Sequence, residues 1–189
     1  MPLPDDPRPD PSPELLGARV RLREPRDEDA VAWRALGRHP EIARMFGVDR
    51  AAAEIPLQAA DALAWLARLR SHRHAWIIEH EGRLLGEIRL HSFEPKNKAA
   101  RIAIALFDPA RLGMGLGTEA IRLVLVYGFG TIGLHRIDLR VLAFNERAIR
   151  AYRKCGFVIE GRLREAALVD GERHDDLIMG LLASEFRAS

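Results

Sequence analysis

Apolar and polar positions along the chain alternate in short runs that give way to helical spacing and back again. Val20 and Leu22 alternate with Arg19, Arg21 and Arg23 over residues 18–24, the period of a half-buried strand, and Pro25 ends the run. Asp27 can cap a helix reaching about Leu36, and Leu63, Leu66 and Leu69 recur at helical spacing in a second helix over 57–70. The stretch between them, 39–56, has no clear period. Residues 75–79 and 84–91 read as two strands joined across Glu81-Gly82-Arg83. A third strand, 99–107, sets Ile102, Ile104 and Leu106 on one face and Arg101, Ala103 and Ala105 on the other.

A glycine-rich loop follows, then a helix from about Gly117 to Phe129. It is apolar on nearly every side, through Ile121, Leu123, Val124, Leu125 and Val126, and is therefore expected to be buried. Over 135–142, Ile137, Leu139 and Val141 stand opposite Arg136, Asp138 and Arg140 as another strand. Residues 145–154 form a helix that Gly156 ends, and strands over 157–168 and 174–182 flank the turn Asp170-Gly171. Strands and helices alternate only in part. The pattern predicts a single α/β (α+β) domain whose mixed, mainly antiparallel sheet has six to seven strands, with about four helices and one strand-helix-strand crossover at the glycine loop. The domain spans 17–186, without repeats or an internal boundary. Before it, residues 1–16 carry prolines at 2, 4, 7, 9, 11 and 13 and read as a proline-rich, disordered tail.

Composition narrows the function classes. With 29 basic and 27 acidic residues among 189, the net charge is only +2, and aromatics do not interleave with basic residues, so no nucleic-acid surface is expected. The single cysteine, Cys155, cannot form an internal disulfide, and the seven histidines lack metal-ligand spacing. No run approaches the roughly 18 apolar residues of a membrane span, and the first residues do not read as a signal peptide. A cytoplasmic, metal-free protein without a membrane partner follows.

The chemistry begins at Leu106-Phe107-Asp108-Pro109-Ala110-Arg111-Leu112-Gly113-Met114-Gly115-Leu116-Gly117-Thr118-Glu119-Ala120. Alternating glycines at a helix start expose backbone N–H groups to whatever lies in front of them, which makes an anion site. A nucleotide P-loop would need a lysine after the last glycine, and a dinucleotide fingerprint would need Gly-x-Gly-x-x-Gly near the front of the chain; neither is present. On its own the loop also reads as a turn that serves chain reversal only.

Strand, Gly-x-Gly-x-Gly-Thr-Glu-Ala, helix and strand, followed by Asn145-Glu146-Arg147-Ala148-Ile149-Arg150-Ala151-Tyr152-Arg153-Lys154-Cys155-Gly156-Phe157, resemble the Gcn5-related N-acetyltransferase (GNAT) superfamily. The second block is much the more specific. Asp170-Gly171, His174-Asp175 and Met179-Gly180-Leu181 look like its RimJ/RimL-like branch, which holds ribosomal-protein alanine and spermidine N-acetyltransferases. The resemblance covers about residues 17–186 and implies acetyl-coenzyme A as co-substrate, a primary-amine acceptor (protein N-terminus, polyamine or small amine) and often a homodimer. It further implies that Leu112, Gly113, Met114, Gly115, Leu116, Gly117 and Thr118 cradle the pyrophosphate. By the same analogy Ala105, Leu106 and Phe107 pair with the pantetheine arm as an added strand, Asn145 hydrogen-bonds the coenzyme, and the Tyr152 hydroxyl protonates the leaving thiolate. Asn145 and Tyr152, seven apart, share a helix face; the plain readings are an N-cap and a packed aromatic. Arg111, Arg147, Arg150 and Lys154 can contact phosphates or remain solvated basic residues.

The implied reaction is direct acyl transfer, with Cys155 as a packing residue. Three positions depart from the family pattern: Arg101 stands where many relatives carry a glutamate base, and Leu112 and Met114 replace larger or basic loop residues. The base must then lie elsewhere or be water, with Glu87, Asp175, Glu41 and His91 as side-chain candidates; Glu87 also reads as a solvated strand residue. Two other readings stay open: a non-catalytic acyl-coenzyme A module, and a succinyl-coenzyme A donor whose carboxylate meets Arg19, Arg21, Arg23 and Arg101.

Overall fold

The computed structural model describes residues 12–187. Its strands are β1 (Leu15–Leu16), β2 (Arg21–Arg23), β3 (His74–His80), β4 (Arg83–Glu94), β5 (Ala99–Leu106), β6 (Arg136–Leu142), β7 (Val158–Val169) and β8 (Glu172–Leu182). They form one sheet in the order β1-β2-β3-β4-β5-β6-β8-β7. The helices are α1 (Asp27–Leu36), α2 (Pro40–Arg44), α3 (Arg50–Ala53), α4 (Ala59–Arg70), α5 (Leu116–Val126) and α6 (Glu146–Lys154), and a π-helical turn over Tyr127–Ile132 extends α5. The mixed, mainly antiparallel sheet is as expected, with β5–β6 its one parallel pair.

Two counts exceed the sequence reading. The eighth strand is β1, where Leu15 and Leu16 pair with Leu22 and Arg21. Residues 12–16, assigned to a disordered tail, are instead fastened down: the Ser12 hydroxyl donates to the Arg73 carbonyl (2.5 Å), and the Trp76 indole donates to the Pro13 carbonyl (2.7 Å). Met1 to Pro11, the rest of that expected tail, lie outside the described residues. The extra helices are α2 and α3, five and four residues long, too short for an apolar period to register.

The sheet divides two cores. On one face Trp76, Ile78, Ile88, Leu90, Ile102, Ile137 and Leu139 pack beneath α5 and α6. Ile121, Val124 and Leu125 of α5 are at most 1% exposed, and each contributes about 1.5–3 kcal/mol by burial. On the other face Ala75 and Ile77 meet Ala30 of α1 and Ala62, Trp65, Leu66 and Leu69 of α4. The start of α1 is fixed electrostatically: buried Asp29 accepts the Arg26 N–H (2.7 Å) and both terminal nitrogens of Arg23 (2.7 and 2.8 Å), whose Nε reaches Glu79 (2.6 Å).

The parallel pairing of β5 with β6 is brief. It joins Ala99 to Arg136, Ala100 to Ile137 and Arg101 to Asp138, then stops, so Ile102 to Leu106 run on without a partner on that side. Across the same strand β4 stays paired as far as Gly86 and Leu106. The sheet therefore contains an edge in its middle, and α5 begins just beyond it.

Candidate active site

The interior edge opens into a cavity of about 690 Å³. Its walls include Ile104 and Leu106 of β5, the loop residues Arg111, Leu112, Gly113, Gly115, Leu116, Gly117 and Thr118, and Asn145, Arg147, Arg150, Tyr152 and Lys154. Residues in a strand send their N–H and C=O to the same side, and successive residues alternate. Because the Phe107 N–H donates to the Leu85 carbonyl (2.9 Å), Phe107 and Ala105 turn their backbone toward β4, whereas Leu106 and Ile104 turn theirs to the open edge.

The loop is shaped to present amides. Gly113 (φ 79°) and Gly115 (φ 82°) occupy the left-handed region that a Cβ disfavours, and Gly115 is the N-cap of α5. The helix ladder starts with the Glu119 N–H on the Gly115 carbonyl (3.0 Å), so the N–H groups of Leu116, Gly117 and Thr118 precede it at the positive end of the helix. A Cβ on Gly117 would stand 3.3 Å from Leu106 Cδ1, narrowing the passage between loop and strand. Behind the loop, Arg19 donates to the Met114 carbonyl (2.9 Å) and to Glu119 (3.0 Å). Burial works against the Glu119 charge, but the N–H groups of Arg19 and Val20 and the Arg19 guanidinium hold its carboxyl below the usual range.

On α6 the Asn145 Oδ1 accepts the Ala148 N–H (3.1 Å), so the residue is an N-cap and a cavity residue at once; its Nδ2 hydrogens remain for another acceptor. Tyr152 packs edge-on against Phe157, and burial, with Cys155 adding to it, pushes its phenol well above the ordinary value, keeping the hydroxyl protonated. The Cys155 thiol is pushed up to about 11, chiefly by burial, and donates to the Thr118 carbonyl (3.6 Å). It is a packing residue at neutral pH.

Several expected site residues stand elsewhere. Ala105 and Phe107 do not line the cavity; Phe107 sits edge-on to Trp33 and Trp65, which stack at 5.0 Å. Met114 is an exposed side chain outside the lining, tied in through its carbonyl. Glu87 is neither a cavity residue nor a solvated one. It is 3% exposed and accepts from the Trp65 indole, from Arg68 (3.0 Å) and from Arg89 (2.7 Å), since α4 covers that stretch of β4. Asp175 accepts from Arg162 (2.8 Å) and the Glu165 N–H (2.8 Å), and Glu41 faces solvent; neither lines the cavity. The four arginines expected to meet a donor carboxylate are dispersed: Arg19 serves the loop, Arg21 pairs with Glu14, Arg23 with Asp29, and Arg101, three strands from β2, with Asp138 (2.8 Å).

His91 does line the cavity, opposite Arg101 on the neighbouring strand. Burial, then Arg89, His72 and Arg101, push its imidazole down to about 4 against the pull of Asp138, so it is uncharged at neutral pH. Sequence reasoning missed the rest of this end of the cavity: Ile42 and Met45, Phe46 and Gly47 after α2, and the pair Arg140–Asp176 (2.7 Å). The short helix left no period, and residues 36 apart in sequence gave no signal of meeting.

The profile of the Acetyltransferase (GNAT) domain matches residues 19–158. The uncharacterized N-acetyltransferase YoaA of Bacillus subtilis is 30% identical over 174 residues, covering 90% of this chain and 97% of its own. A spermidine N(1)-acetyltransferase of Vibrio cholerae is 30% identical over 137 residues, 70% of this chain and 79% of its own. The crystal structure of a Vibrio cholerae spermidine N-acetyltransferase in complex with CoA and spermine superposes with a TM-score of 0.73 at 26% identity, covering 89% of this chain and 98% of that one. Glycine loop, interior edge and relatives agree: the chain belongs to the GNAT acetyltransferase family, and its activity is acetyl-coenzyme A-dependent N-acetylation of an amine.

Proposed function

We propose that this chain transfers the acetyl group directly to a primary amine that enters the cavity beside α2, with acetyl-coenzyme A held along the open edge of β5 and over the start of α5. The observation that carries this reading is the end of β5–β6 pairing at Arg101, which leaves the backbone groups of Ile104 and Leu106 free in the same cavity as the glycine loop. The loop amides from Gly113 to Thr118 would bind the pyrophosphate, with Arg147, Arg150 and Lys154 beside them and Asn145 Nδ2 as a further donor. Acetyl-coenzyme A supplies the thioester.

In this scheme the Leu106 N–H donates to the thioester oxygen as negative charge develops there. As the new C–N bond forms and the C–S bond breaks, His91 takes the amine proton and the Tyr152 hydroxyl gives its proton to the sulfur; solvent then restores both side chains. At neutral pH the phenol carries the proton that the departing sulfur takes up. A cytoplasmic setting and a homodimer belong to the same proposal. Exposed Val158, Ile159, Leu163 and Leu168 on edge strand β7 support a second copy, to be checked by light scattering.

Calorimetry with acetyl-coenzyme A and a thiol-release assay test the scheme. Gly115→Val should abolish binding, because the left-handed backbone and Arg19, 3.3 Å from the added Cβ, leave it no place, whereas Met114→Lys should leave binding intact or tighten it. Tyr152→Phe should bind normally and lose about 10²- to 10⁴-fold in kcat. Undetectable binding by the unaltered protein would sink the whole reading; full turnover by Tyr152→Phe would remove Tyr152 from it.

A further inference from the structure

We propose that the acceptor carries a carboxylate close to its amine, held by Arg101 and Arg140, and that linear polyamines are poor substrates. This rests on the proposed placing of the acceptor beside α2. The cavity wall there is apolar, from Ile42, Met45, Phe46 and Ala103, and its charged side chains are Arg101, Arg140 and Asp176.

The sole carboxylate among the described lining residues is Asp176, and it is already paired with Arg140. A polyamine has a positive charge at every nitrogen near neutral pH. To be held it needs several carboxylates turned toward it, and the three that the sequence offered, Glu41, Glu87 and Asp175, all stand outside the cavity. Each guanidinium, by contrast, keeps donors in reserve. Arg101 has a hydrogen bond to Asp138 through Nε, and Arg140 one to Asp176 through Nη2, while about 40% of each side chain remains exposed (40% and 43%). A guanidinium has five N–H donors in a planar fork that matches a carboxylate, so each retains the geometry to take an anionic group beside its aspartate. The uncharged state of His91, owed first to burial, agrees in that Arg89 and Arg101 also push its pKa down. An amine with an apolar body and a nearby carboxylate meets complementary groups here; a polycation meets two arginines.

The experiment measures kcat/KM by thiol release at saturating acetyl-coenzyme A for matched acceptors: leucine, leucinamide and isopentylamine; a tripeptide with aspartate at its second position and its asparagine counterpart; and spermidine and spermine. A carboxylate-bearing amine should exceed its neutral counterpart by tenfold or more, and the polyamines should fall at least a hundredfold below the best acceptor. Preference within the leucine set points to a free amino acid, and preference within the tripeptide set to an acidic side chain on a peptide. In Arg101→Gln and Arg140→Gln the ratio between matched acceptors should shrink toward one, a readout internal to each variant and therefore insensitive to its folded fraction. Turnover of spermidine equal to the best acceptor, or ratios unchanged in both variants, would overturn the proposal alone. Binding of acetyl-coenzyme A without thiol release from any of these amines would overturn the underlying functional reading with it.

Discussion

Replacing Glu87 by glutamine separates two roles that strand parity alone could not. A general base at this position would lose turnover and keep its fold; the structure gives the opposite expectation. The carboxylate is buried and accepts from the Trp65 indole, Arg68 and Arg89, so it is the counter-charge that lets Arg89 lie in the interior. Removing one partner of a fully buried ion pair costs about 3–5 kcal/mol. Arg68 has 44% of its side chain exposed and Arg89 21%, so solvent screens part of the loss, and the amide oxygen keeps one or two of the hydrogen bonds; about 2–3 kcal/mol remains. For a domain of this size that lowers Tm by about 4–12 °C. Thermal unfolding followed by circular dichroism, with kcat measured at least 15 °C below the variant's own midpoint, provides the comparison. The expected result is a clear drop in Tm with kcat within about threefold of the unaltered enzyme. An unchanged Tm accompanied by a hundredfold loss of kcat would refute the structural role and restore Glu87 as the base.

Three further outcomes can be checked. In Gly86→Ala the new Cβ would stand 2.0 Å from the Ala105 carbonyl oxygen, so β4 and β5 must separate beside the open edge; acetyl-coenzyme A affinity by calorimetry should fall about tenfold or more, with a stability loss of about 1–3 kcal/mol, and an unchanged dissociation constant would contradict it. His74 and His91 both have pKa values pushed down to about 4, first by burial, against about 6.5 in an unfolded chain. The unfolded state then binds more protons between those values, so stability should rise with pH from about 4 to 6.5 and level off above. Urea midpoints at several pH values should show that slope, and His74→Phe, which replaces the imidazole among Phe93, Trp76 and Tyr127, should flatten it; an identical slope in the variant would count against the assignment. Finally, Cys155 should resist iodoacetamide at pH 7.5 in the folded protein and react in denaturant, as mass spectrometry would show; rapid labelling of the native chain would contradict its burial and raised pKa.

What could be read from the sequence was local. Alternation in 18–24, 84–91 and 135–142 located strands, Asp27–Leu36 is the helix that spacing predicted, and the glycine loop with Asn145 and Tyr152 marked one wall of the cavity because loop and helix spacing are short-range properties. The other wall depended on contacts between distant elements. Parity correctly grouped Glu87 with Arg89 and His91 on one strand face, yet α4 covers Glu87 while His91 reaches the cavity, and no period encodes where a helix stops covering a strand. Ile42, Met45 and Phe46 lie in and after a five-residue helix, and Arg140 meets Asp176 only through the order of β6 and β8. The 12–16 segment was misjudged for a related reason. Prolines forbid regular helix, but they do not prevent Ser12 and Pro13 from bonding to residues about sixty positions away.

A strand with one side unpaired is ordinarily a hazard, since any extended chain can continue the sheet and start a polymer. On the outside of this sheet β1 is two residues long, and β7, the edge proposed to meet a second copy, is interrupted by two irregularities in its register. Its longest unpaired run on the inside, Ile102 to Leu106, lies in a cleft closed by α5, α6 and β6. That cleft admits a single slender chain but not a strand that brings its own sheet. A backbone ledge open to one molecule at a time can thus be kept ready without offering the protein a route to aggregation.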